Sequence, residues 1–150
     1  IMTGFRIGWC VANKDLITAM DIFQQNSVTN VPAFVQLAAL AAITGPQDHV
    51  LEITKKLEAK RDKTVAALNA LDGVECPTPD GSFYVFPDIR GTGMTAQQFA
   101  DYLIENYQVG VVAGSAFGDR GEGHIRLTYA CPDDVLEEGL DRIRQGVENL

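Results

Sequence analysis

The sequence predicts a mixed α/β chain whose second part is a compact α/β or α+β lobe, and three observations carry that reading. Helical and strand-like stretches alternate through the second part in the manner of such a lobe, ending in the order helix, strand, strand, helix. The first 45 residues, by contrast, supply one strand-like run and two helices, too little sheet to close a layer of their own. A hydrophobic content of 46% with 21% charged residues over 150 positions is the composition of a chain that folds, far from the signature of disorder.

Taken in order, Phe5 to Val11 is a run of aromatic and branched residues interrupted by Gly8 and is expected to be a buried strand. Asn13 is placed to cap a helix over Lys14 to Phe23, and the polar stretch Gln24 to Asn30 reads as a loop. Pro32 opens a second helix, Ala33 to Ile43, apolar almost all round and therefore expected to be covered on several sides. Gly45 and Pro46 end it, the glycine in a left-handed C-terminal cap.

From Gln47 to about Leu71, Val50, Ile53, Leu57, Val65, Leu68 and Leu71 recur at helical spacing opposite Glu52, Lys56, Lys60 and Lys63, which predicts a long amphipathic helix linking two lobes. Pro77 to Gly81 is a turn cluster, and Ser82 to Phe86 a short strand stopped by Pro87. Thr95 with Gln98 three residues on has capping-box spacing for a helix to Asn106. Strands at Val109 to Ala113 and Ile125 to Tyr129 precede a last helix from Pro132 to about Leu150, with Asp133 and Asp134 in its first turn. A domain boundary is expected at 45/46.

Composition narrows the function classes. Twelve Lys and Arg against 20 Asp and Glu leave a net charge of −8, which repels a polyanion, so no nucleic acid is expected as partner. The most apolar window, Val31 to Ile43, falls well short of the roughly 20 residues that cross a bilayer, so no membrane association is expected. Cys10, Cys76 and Cys131 are an odd, widely spaced set that builds neither a disulfide framework nor a zinc site, and a reducing, cytoplasmic setting fits them best. His49 and His124 lack a second ligand at metal-binding spacing and read as surface residues; no metal site is expected.

Two arginines stand out. Arg6 lies inside an apolar run, where a guanidinium needs an anion, whether an Asp or Glu of the chain or a bound phosphate or carboxylate. Arg126 alternates with Ile125, Leu127 and Tyr129 and so faces away from the apolar side; on a solvated face it is a plain cation, and in a cleft its planar fork suits a carboxylate. Gly114-Ser115-Ala116-Phe117-Gly118 reads as an ordinary strand-to-loop turn, and Asn30 as a turn or capping residue.

Met2-Thr3-Gly4-Phe5-Arg6-Ile7-Gly8, the Gly45-Pro46 break, Gly81-Ser82-Phe83-Tyr84-Val85-Phe86-Pro87, Val111 to Gly118 and Gly121 to Ala130 occur in that order. Together they resemble the C-terminal part of class I/II aminotransferases, the aspartate-aminotransferase-like enzymes of fold type I that use pyridoxal 5'-phosphate. The resemblance spans essentially the whole chain. It implies a lobe of a fold type I enzyme: residues 1–45 as a remnant of the large cofactor-binding domain, and 46–150 as the small domain with its linking helix.

The same resemblance implies the function and the site. The activity would be transfer of an amino group between an L-amino acid and a 2-oxo acid, both small molecules, by a homodimer. Arg6 matches the arginine that binds the cofactor phosphate, Arg126 the one that clamps the substrate α-carboxylate, and Asn30 lies in a loop that approaches the partner subunit's active site. Phe83 and Tyr84 match residues near the substrate entrance. Counting back along the first motif puts the Schiff-base lysine before Ile1, so the chain holds no catalytic residue and is expected to be inactive by itself. Two other readings are compatible with the family: an effector-binding domain of a transcription regulator, and another fold type I enzyme such as a lyase or decarboxylase.

Overall fold

A computed structural model describes residues 2–150. They fall into two compact units, one running to Val50 and the other Leu51–Leu150. The first opens with a 3₁₀ turn, Thr3–Phe5, followed by irregular chain and two helices, α1 (Lys14–Ser27) and α2 (Ala33–Thr44). A third helix, α3 (Asp48–Asn69), begins at the end of this unit and continues through the next. At 1.5 Å per residue it is about 33 Å long.

Three expectations for the first unit are corrected. Phe5 to Val11 is not a strand: Phe5 closes the 3₁₀ turn and Arg6 adopts a left-handed conformation, φ 50°. A strand needs a neighbour to accept and donate along its ladder, and the only sheet among the described residues is built from segments beyond Leu51. Helix α1 does not stop at Phe23 but runs to Ser27, because Gln25 and Asn26 satisfy their side chains within the helix, Gln25 on Asp21 at 2.7 Å and Asn26 on the Ile22 carbonyl at 2.7 Å. Gly45 is extended rather than left-handed, φ −79° and ψ −178°, as suits a residue before proline. Asn13 does cap α1, its Oδ1 accepting from the Leu16 N–H at 2.9 Å.

In the second unit the sheet comprises β1 (Tyr84–Val85), β2 (Val112–Ala113) and β3 (Ile125–Thr128). The order is β1-β3-β2, both pairings antiparallel, with Tyr84 opposite Thr128 and Val112 opposite Arg126. The strands are shorter than their apolar runs suggested, and alternation sorts their two faces. Val85, Ala113, Ile125 and Leu127 point inward and are buried, whereas Tyr84, Val112, Arg126 and Thr128 share the other face.

Helices α4 (Ala96–Tyr107) and α5 (Asp133–Glu148) complete the unit. The capping box at Thr95 and Gln98 is formed in both directions. Val65 and Leu68 of α3, Phe99 and Leu103 of α4, Leu136, Leu140 and Ile143 of α5 and the inward face of the sheet make one continuous core with Ile89 and Tyr129. Each fully buried large side chain there contributes roughly 1.5–3 kcal/mol. Polar groups at its margin are matched: Tyr129 donates to the Ser82 carbonyl at 2.8 Å, buried Thr64 to the Lys60 carbonyl at 2.7 Å, and Lys60 pairs with Asp133 at 3.0 Å, tying α3 to the start of α5. No helix among the described residues is long and apolar enough to cross a membrane.

Candidate functional site

The outward face of the small sheet carries an aromatic shelf with a guanidinium on it. Arg126 occupies the central strand, and the register places Tyr84 on one neighbouring strand diagonal to it and on the same face. The Arg126 guanidinium carbon lies 4.4 Å from the centroid of the Tyr84 ring and 4.5 Å from that of Phe117. Its residue is half-buried. Among the described residues the Arg126 side chain forms no ion pair and no hydrogen bond, so its fork of N–H donors lies against rings and is otherwise uncommitted.

Phe117 reaches that position from the 3₁₀ turn Gly114–Phe117. The turn is pinned by the Gly114 N–H donating to the His124 carbonyl at 2.7 Å. A Cβ at Gly114 would stand 2.2 Å from the Gly121 carbonyl oxygen and 2.6 Å from that of His124, so only glycine permits the close passage of these two backbones. Behind Phe117 sits Phe86, edge to face at 6.1 Å, and Phe86 in turn stacks on the His124 imidazole at 5.2 Å with 11° between planes. His124 is therefore a half-buried member of the shelf rather than the surface residue its isolation suggested.

Arg6 and Asn30 lie in the first unit, Arg126 in the second, so no single unit holds all three. Arg6 is exposed and donates to the Thr3 carbonyl at 3.2 Å; no Asp or Glu pairs with it among the described residues. Four of its five N–H donors thus remain for an anion, which fits a phosphate contact. Asn30 is exposed in the turn between α1 and α2, its backbone N–H donating to the Val28 carbonyl at 2.8 Å and its Nδ2 to the Val31 carbonyl at 3.2 Å. Thr29 before it is left-handed, φ 65°.

Two other ionisable groups of the second unit, Asp88 and Cys76, are set by their surroundings. Asp88 accepts from the side chain and the backbone N–H of Arg90, which holds its carboxyl at about 2, well below the ordinary carboxylate range. Burial pushes the Cys76 thiol up to about 11 and leaves it protonated. Cys10, Cys76 and Cys131 are all free. Phe117 is the site residue that residue-by-residue reading passed over. Its signal was an aromatic three positions past Gly114, inside a turn that would otherwise be small and polar.

A family model for aminotransferase class I and II matches residues 1–143. The chain belongs to that family. An aspartate aminotransferase of Pyrococcus horikoshii is 37% identical over 149 residues, covering 98% of this chain and 38% of the relative. An aspartate/prephenate aminotransferase of Cereibacter sphaeroides is 40% identical over 153 residues, covering 95% and 38%. The crystal structure of the aspartate aminotransferase from Rhizobium meliloti matches with a TM-score of 0.86 at 36% identity, over 98% of this chain and 39% of that one. The fold described above thus matches that structure over nearly all of this chain, and the chain spans a little under two-fifths of the length of the curated relatives it matches.

Proposed function

We propose that the chain forms part of a pyridoxal-phosphate-dependent aminotransferase that moves an amino group between an L-amino acid and a 2-oxo acid, and that Arg126 binds the substrate α-carboxylate. One observation carries the site assignment: a half-buried guanidinium, oriented by two aromatic rings, with no carboxylate against it among the described residues. Such a fork takes up a carboxylate through two parallel charge-assisted hydrogen bonds, which fixes the orientation of the bonds at the substrate Cα. Arg6 would hold the cofactor phosphate. The cofactor, when bound, supplies the electron sink for bond breaking at Cα.

In this reading residues 1–45 belong to the larger cofactor-binding domain and 46–150 to the small domain, and the enzyme is a cytoplasmic homodimer in which the Asn30 turn faces the neighbouring subunit's site. The exposed apolar side chains of α2 support the first assignment, and the three free thiols the compartment. The 150 residues by themselves turn over no substrate.

The test is Arg126→Lys in the full-length enzyme. Lysine keeps the charge and loses the fork, so kcat/KM for amino acids is expected to fall about 100-fold or more, on the order of 3 kcal/mol, with cofactor affinity unchanged. Near-normal kcat/KM with a lowered melting temperature would make Arg126 a structural residue and remove it from the site.

A further inference from the structure

We infer that Tyr84 and Phe117 are positioning residues that hold the Arg126 guanidinium in its plane while leaving all of its donors for the incoming carboxylate. The inference rests on the carboxylate-binding role proposed for Arg126 and adds to it the groups that aim the fork. Arg61, Arg90, Arg142 and Arg144 of the same unit each spend donors on an Asp or Glu. A carboxylate partner orients an arginine by neutralising it and occupying its N–H groups, which would compete with a ligand. A ring face attracts the cation through its quadrupole and takes no N–H donor, so it orders the side chain without competing.

Arg126 is the guanidinium of this unit that lies over aromatic rings, at 4.4 Å and 4.5 Å. The backbone under each ring is set by its surroundings. Tyr84 pairs with Thr128 across β1 and β3 and its ring lies 4.5 Å from that of Phe83, while Phe117, 52% exposed, follows the glycine-only passage at Gly114 and meets Phe86 edge to face at 6.1 Å. The fork is thus set before a ligand arrives, and the ordering of a long side chain is not charged against binding.

The experiment replaces Phe117 in the full-length, cofactor-loaded enzyme by mono-, di- and trifluorophenylalanine, which keep the ring's shape and progressively withdraw its quadrupole. KM for both amino acid and 2-oxo acid should rise step by step, reaching about three- to fivefold for the trifluoro ring, while kcat and the melting temperature hold nearly constant. Phe117→Leu should raise KM at least as far. A packing role predicts no trend along the fluorine series, and a flat KM there overturns the inference. Arg126→Lys in the same assay separates the two claims. Impairment of Arg126→Lys with a flat series leaves the carboxylate role standing and removes the positioning role, whereas near-normal Arg126→Lys overturns both.

Discussion

The two units of this chain handle their apolar residues in opposite ways. In the unit running to Val50, Val35 is the buried hydrophobic residue, while Trp9, Phe23, Phe34 and Leu37 are largely exposed. In Leu51–Leu150 the apolar residues of α3, α4, α5 and the sheet close on one another, and Phe99, Leu103 and Ile89 are completely buried. The difference lies in patterning rather than in apolar content. Helix α5 carries Leu136, Leu140 and Ile143 at spacings of four and three along one stripe, with Glu138, Asp141 and Arg144 opposite, so one packing surface suffices. Helix α2 is apolar on every side and needs covering on more than one, which two helices and an irregular segment do not supply. Hydrophobicity drives burial, but its arrangement decides whether a segment can be buried by its own neighbours.

The largest test of that contrast is a pair of truncations in the 150-residue chain. Phe99→Ala, at a site with no exposed surface, should cost about 3–5 kcal/mol in urea unfolding. Phe34→Ala, at a residue 70% exposed, should stay within about 0.5 kcal/mol. Equal losses would mean that the first unit is as well packed as the second.

Glycines give a second, smaller test. Gly114→Ala forces a Cβ against backbone oxygens at 2.2 Å and 2.6 Å and is expected to lose about 1–3 kcal/mol, read as a lowered melting temperature. Gly8→Ala meets nothing within 4 Å and should be nearly neutral. A neutral Gly114→Ala would show that the 114–121 passage is looser than described, and with it the seat of Phe117.

The smallest expected effect is on acid stability. Asp88 titrates at about 2 when folded against 3.8 as its ordinary value, so its contribution is present above about pH 4 and is lost as pH falls through about 2. With a side chain 19% exposed the contribution is at most about 2 kcal/mol. Asp88→Asn should lower the stability of the second unit at neutral pH and flatten its pH dependence between 4 and 2. An unchanged acid limb in the variant would show that the Arg90 contact does not set that titration.

Much of this was legible in the sequence. Helical spacing located α3, an apolar run after Pro32 located α2, the capping-box pattern α4, and Pro132 with the acidic first turn α5, each a signal carried by residues close together in the chain. The caps at Asn13 and Thr95 were legible because each rests on a side chain within three residues of the group it serves. The alternation around Arg126 correctly placed it on the face opposite Ile125 and Leu127. Phe5 to Val11 misled for the complementary reason: strand character in a sequence is a statement about side chains, and a strand exists only where another backbone completes its hydrogen bonds.

The sequence by itself thus determined the family, the order of helices and strands and the side of β3 on which Arg126 lies, since these depend on residues near one another in the chain or on motifs kept in order. Only the tertiary structure decided what surrounds that arginine. Tyr84, Phe117 and Arg126 are brought together by strand register and by two backbones passing at Gly114 and Gly121, and no spacing along the chain encodes a contact between segments that far apart. An arginine in open solvent and one seated over two rings carry the same charge, and they differ in what holds the guanidinium plane, which only the fold supplies.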